Sequence, residues 1–124
     1  MVPSEVKLHK RSGVLELVYE DSSKFDLPAE YLRVYSPSAE VQGHSPDQRK
    51  PQVGKRDVRI DGLNPQGNYA LRIVFSDGHD TGIFSWEYLY RLGTEQARLW
   101  QEYLDELEAA GKSRTPSIIA TSAI

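Results

Sequence analysis

The stretch Gly67-Asn68-Tyr69-Ala70-Leu71-Arg72-Ile73-Val74-Phe75-Ser76-Asp77-Gly78-His79-Asp80-Thr81-Gly82-Ile83-Phe84-Ser85-Trp86-Glu87-Tyr88-Leu89 decides the fold class. Tyr69, Leu71, Ile73 and Phe75 recur at period two, which sets side chains on one face of a strand. Ser76-Asp77-Gly78-His79 is rich in turn formers, and Ile83-Phe84 makes a short return strand. Ser85 then caps a helix whose Glu87 sits near the positive end of the dipole. Strand, turn, strand and helix in so short a run point to an α+β fold with antiparallel pairing.

Upstream, Val58 and Ile60 alternate, and Asn64-Pro65-Gln66-Gly67 predicts a turn. Val6 and Leu8, the turn at Ser12-Gly13, and Val14 to Tyr19 predict a hairpin, with Lys24 to Leu27 as a third strand. Pro28 suits the first turn of a short helix over 29–33. Residues 36–56 hold Pro37, Gly43, Pro46, Pro51 and Gly54 and read as one long loop, a feature that is often functional. Downstream, Gly93 marks a helix end and Thr94 a new cap. Ala97, Trp100, Leu104 and Leu107 then recur at helical spacing, widened by Leu99 and Tyr103, until Gly111 stops the helix. The expected architecture is a small antiparallel β-sheet with a short inserted helix and two C-terminal helices. Its divisions are a core domain over 1–93, a packed helix over 94–111 and a flexible tail over 112–124.

Composition narrows the function. The 124 residues suit one domain, and 39% hydrophobic with 27% charged residues is globular. No run of about 18 apolar residues predicts a membrane span. Met1 to Lys7 lacks the apolar core of a secretory signal, so the expected address is cytoplasmic. There is no cysteine, which removes disulfides, thiolate chemistry and the strongest zinc ligands. A net charge of −3 argues against nucleic-acid binding by the molecule as a whole. No phosphate-binding glycine motif and no nucleophile elbow is present.

Two segments carry a resemblance. One is Phe25-Asp26-Leu27-Pro28-Ala29-Glu30-Tyr31-Leu32-Arg33-Val34-Tyr35-Ser36-Pro37-Ser38-Ala39-Glu40-Val41; the other is the 67–89 stretch. With the opening hairpin, they resemble the gamma-butyrobetaine hydroxylase-like N-terminal domain in its stand-alone bacterial form, over roughly residues 4–93. The resemblance implies a structural zinc held by three cysteines and the histidine of the Asp-Gly-His turn. The matching positions here are Ser36, Ser38, Val41 and His79, so the metal is expected to be lost and the fold kept. Hydrogen bonds from Ser36 and Ser38 and packing of Val41 would replace the cross-link. The resemblance also implies that hydroxylase catalysis lies in a separate iron oxygenase domain. The three histidines here, His9, His44 and His79, form no facial triad with a carboxylate at the required spacing. Related domains joined to Mrp-like iron–sulfur carrier ATPases imply an auxiliary role near cofactor assembly.

Three roles follow as expectations. The first is a non-catalytic binding or adaptor module for a protein partner, with a contact surface drawn from His44, Arg49, Lys50, Lys55, Arg56, Asp77, His79 and Asp80. The second is a metal- or small-ligand-binding auxiliary domain, with zinc or iron held weakly at His79 between Asp77 and Asp80. The third is anion or nucleic-acid binding through Arg49, Lys50, Lys55 and Arg56, although residues 44–59 lack the aromatics that stack bases. Trp86, Tyr88, Tyr90, Trp100 and Tyr103 are expected to be mostly core, or in part an interface. Ile118-Ile119-Ala120 could act as a short docking peptide.

Overall fold

Leu15, Leu17 and Tyr19 are buried and alternate with half-buried neighbours along β2 (Val14–Val18) and the residue after it. That alternation builds the first sheet in a computed structural model describing residues 1–116. β2 lies between β1 (Glu5–His9) and β3 (Lys24–Pro28), both antiparallel to it. The second sheet has order β4-β5-β6, also antiparallel: β4 (Ile60–Gln66), β5 (Ala70–Phe75) and β6 (Ile83–Ser85). The fold class is α+β, as the sequence predicts, but the strands form two three-stranded sheets. The chain turns from Pro28 into helix and does not resume strand until Ile60, so the second half builds its own ladder.

Helix α1 (Ala29–Val34) is buried along its whole length, including Glu30 and Arg33. Buried charges need partners. Glu30 takes a bidentate pair from Arg114 at 2.7 and 2.8 Å, and Arg33 donates to Asp77 at 2.9 Å. The core is one cluster shared by both sheets, α1, α3 (Trp86–Thr94) and α4 (Gln96–Ala110). Four tyrosine hydroxyls tie these layers to backbone carbonyls: Tyr31 to Leu92, Tyr35 to Leu99, Tyr88 to Tyr35 and Tyr103 to Gln52. Burial raises all four phenols, Tyr35 and Tyr103 to about 12, so they remain donors at any physiological pH.

Several local expectations are corrected. Gly93 does not stop α3: it lies inside the helix, where a Cβ would come within 2.3 Å of the Phe25 ring. Thr94 does not cap α4; its hydroxyl donates to the Arg91 carbonyl, and Glu95 occupies the cap position without a side-chain bond. The buried stripe of α4 is Leu99, Tyr103 and Leu107, with Trp100 and Leu104 half-buried and Ala97 exposed. Tyr69 is 61% exposed and lies outside the buried row of Leu71, Ile73 and Phe75. The turn predicted at Asn64–Gly67 falls later, because β4 continues to Gln66 and Gly67 turns with φ +53°.

The 36–56 segment contains α2 (Ala39–Gln42) and a 3-10 turn (Pro46–Gln48), and it is anchored on several sides. Lys50 N–H donates to the Val41 carbonyl, and Gly54 N–H to the Ser113 carbonyl. Arg33 reaches the Gln52 amide oxygen. The start of the predicted tail belongs to this packing: Arg56 N–H donates to the Arg114 carbonyl at 3.0 Å. The remainder, with Ile118-Ile119-Ala120, lies outside the described residues.

Candidate functional site

The site begins at the end of β5. Gly78, with φ +87°, allows the tight turn in which Gly78 N–H donates to the Phe75 carbonyl and Phe75 N–H to the His79 carbonyl. Asp77 Oδ1 accepts from His79 N–H at 3.3 Å. The turn delivers the His79 ring to the segment that follows α1. There the Ser36 hydroxyl lies 2.8 Å from Nε2, and the Ser38 hydroxyl 3.3 Å from the same atom. On the opposite side, Glu40 Oε2 lies 3.4 Å from Nδ1, and Thr81 donates to the other Glu40 oxygen at 3.0 Å. The Glu40 carboxylate, 64% exposed, stands beside Nδ1 as a nearby negative charge. A serine hydroxyl both donates and accepts, so the Ser36–Nε2 bond forms with either tautomer of the ring.

The His79 side chain is 3% exposed and Ser36 is fully buried. Burial, reinforced by the Arg33 charge, pushes the imidazole below its ordinary 6.5; Glu40 and Asp77 oppose this and lose. The ring is therefore neutral at pH 7. Asp77 behaves in the opposite way. Burial pushes its carboxyl up, but Lys55 at 2.6 Å and Arg33 at 2.9 Å hold it below the usual carboxylate range.

Ser36, His79 and Glu40 follow the nucleophile–base–carboxylate order of a hydrolase triad. The order lacks access. Ser36 has no exposed surface, and Gly82 packs so close that an added Cβ would sit 2.3 Å from Ser36 Oγ. A substrate carbonyl cannot reach that oxygen. The zinc implied by the resemblance does not fit these residues either. Two neutral hydroxyls and one imidazole make a poor tetrahedral donor set, and Val41 supplies no donor. Among the described residues, no group of three or more His, Asp or Glu side chains is placed to hold a metal ion.

The structure brings Ser36, Ser38 and His79 together, with Val41 buried nearby in sequence and its carbonyl bound by Lys50 N–H. Of the eight residues expected at a contact surface, it brings Lys55, Asp77 and His79 together. Arg49 packs its guanidinium 4.3 Å over the Tyr35 ring and pairs with Glu106. Lys55 and Asp77 pair with each other, and Asp80 pairs with Arg72 at 3.1 Å. His44, Lys50 and Arg56 remain exposed. Two of the loop's four basic residues, Arg49 and Lys55, are thus held in ion pairs.

Sequence reasoning misses Glu40 and Arg33, since nothing in their spacing marks them as partners of the His79 turn. It also misses a cleft of about 580 Å3 between the start of α1 and α4, lined by Pro28, Tyr31, Gln96, Ala97, Trp100 and the Glu30–Arg114 pair. Its floor is aromatic, with Arg114 lying 5.0 Å over the Trp100 ring. The only signal for it in the sequence is Trp100 on the edge of the apolar stripe. Among the described residues, no helix is long and apolar enough to cross a membrane.

No curated protein matches the chain. Two structures described as NMR solution structures are similar to it. One is 53% identical, with TM-score 0.81, covering 94% of this chain and 91% of that one. The other is 45% identical, with TM-score 0.78, covering 94% and 87%. A crystal structure from Acidithiobacillus ferrooxidans ATCC 23270, of a protein with unknown function in the DUF971 family, is 38% identical with TM-score 0.62, covering 73% and 91%. The gamma-butyrobetaine hydroxylase-like, N-terminal family matches residues 6–90, and the chain belongs to that family.

Proposed function

We propose that this chain is a non-catalytic binding module that engages a protein partner. The observation that carries the reading is the cleft at Trp100. It is the most apolar opening described, it is large enough for one or two partner side chains, and polar groups rim it. Aromatic and arginine side chains in such a setting are the usual anchors of protein contacts. The sealed Ser36–His79 pair supports the non-catalytic half of the proposal. A buried, neutral imidazole bonded to two hydroxyls joins two segments and offers nothing to a substrate. The contact surface accordingly shifts from the 36–56 loop to the cleft.

The test uses Ala97→Glu. Ala97 is exposed on the cleft and lies in the first turn of α4, where a carboxylate is favourable, so folding is unaffected. Protein captured from native cytosol by the wild-type chain should be lost with Ala97→Glu and retained with Lys50→Gln. Equal capture by Ala97→Glu and wild type would remove the cleft from the account.

A further inference from the structure

We propose that a second, smaller cleft binds a phosphoryl anion. It lies between the β1–β2 turn and the segment before β4, has a volume of about 270 Å3, and is lined by Ser12, Gly13, Arg56, Asp57, Val58, Arg59 and the start of α1. Nine of the fifteen Lys and Arg side chains pair with a carboxylate among the described residues. Arg56 and Arg59 do not, and neither do Lys10 and Arg11 in the adjoining turn. Carboxylates are not scarce here, with eighteen Asp and Glu in the chain. Arg56 and Arg59 share one cleft without a carboxylate partner among the described residues, and an anion would relieve their mutual repulsion.

Both arginines are set on anchored backbone. Arg59 N–H donates to the Ser76 hydroxyl at 2.9 Å, and its carbonyl accepts from Ser76 N–H at 2.8 Å. Its guanidinium donates to the Lys10 carbonyl, which leaves further N–H groups free. Arg56 N–H is held by the Arg114 carbonyl, while its guanidinium makes only a 3.4 Å contact with Thr115. Two acids also line the cleft. Glu30 is taken up by Arg114, and Asp57 is one charge against the two lining arginines. Two guanidinium forks beside a serine hydroxyl match the oxygens of a phosphate or diphosphate. The volume, about nine waters at ~30 Å3 each, suits that size of ligand.

Pyrophosphate titrated into the full chain and followed by amide chemical shifts tests the site. Saturable shifts are expected at Ser12, Gly13 and Arg56 to Arg59. Affinity should fall about tenfold or more in Arg56→Gln/Arg59→Gln, which removes charge-assisted hydrogen bonds, and stay unchanged in Lys50→Gln. Absence of saturation, or an equal loss in Lys50→Gln, would overturn the proposal. Tighter binding of a single-stranded oligonucleotide to the same residues would overturn it too, replacing a small anion with a polymer.

Discussion

His79 joins segments 43 residues apart in sequence through its bond to Ser36, and burial resists protonation of the ring. In the unfolded chain the ring titrates near its ordinary 6.5, and in the folded protein it titrates lower. Below about 6.5 the unfolded state therefore binds more protons. This contribution to stability is complete above that pH and is lost as pH falls through the folded value. The urea midpoint should drop between about pH 7.5 and about pH 5.5. His79→Gln should be less stable at the higher pH by ~1–3 kcal/mol and should lose that part of the slope. An unchanged slope in His79→Gln would assign the pH dependence elsewhere.

At the scale of elements, α3 shows how a close approach overrides propensity. Alanine is better in a helix than glycine by about 1 kcal/mol. Yet a Cβ at Gly93 would meet Phe25 carbons at 2.3 and 2.4 Å. Overpacking of this kind costs ~1–3 kcal/mol and exceeds the propensity gain. Gly93→Ala should therefore lower Tm by several degrees, while Gly62→Ala, with nothing within 4 Å of the added carbon, should change it little. A rise in Tm for Gly93→Ala would show that Phe25 moves aside freely. The same contact explains why the sequence misleads here. A glycine followed by threonine reads as stop and cap, and only the ring of a distant strand shows that the glycine is needed inside the helix.

Across the whole molecule, what local pattern governs is legible and what pairing governs is not. The period-two rows of β2 and β5, and the apolar stripe of α4, announce their elements because burial of one face sets the spacing. The division into two sheets does not show, since it depends on where the chain goes after Pro28. Nor does the fate of the basic loop. Arg49 and Lys55 find Glu106 and Asp77 at separations of 57 and 22 residues, and no local signal carries such pairs. Of the candidate site, the meeting of Ser36, Ser38 and His79 is approached only through the family resemblance. Glu40, the carboxylate beside Nδ1, is seen only in three dimensions.

The central claim is that a sealed, neutral His79 serves as a hydrogen-bonded cross-link where the resemblance would place a metal. A long-range 1H–15N spectrum of the histidine rings, recorded across pH on protein never exposed to chelator, tests it most directly. A neutral His79 ring is expected at pH 7, taking up a second proton only below 6.5. A ring still charged at pH 7, or nitrogen shifts typical of a metal-bound imidazole, would contradict it.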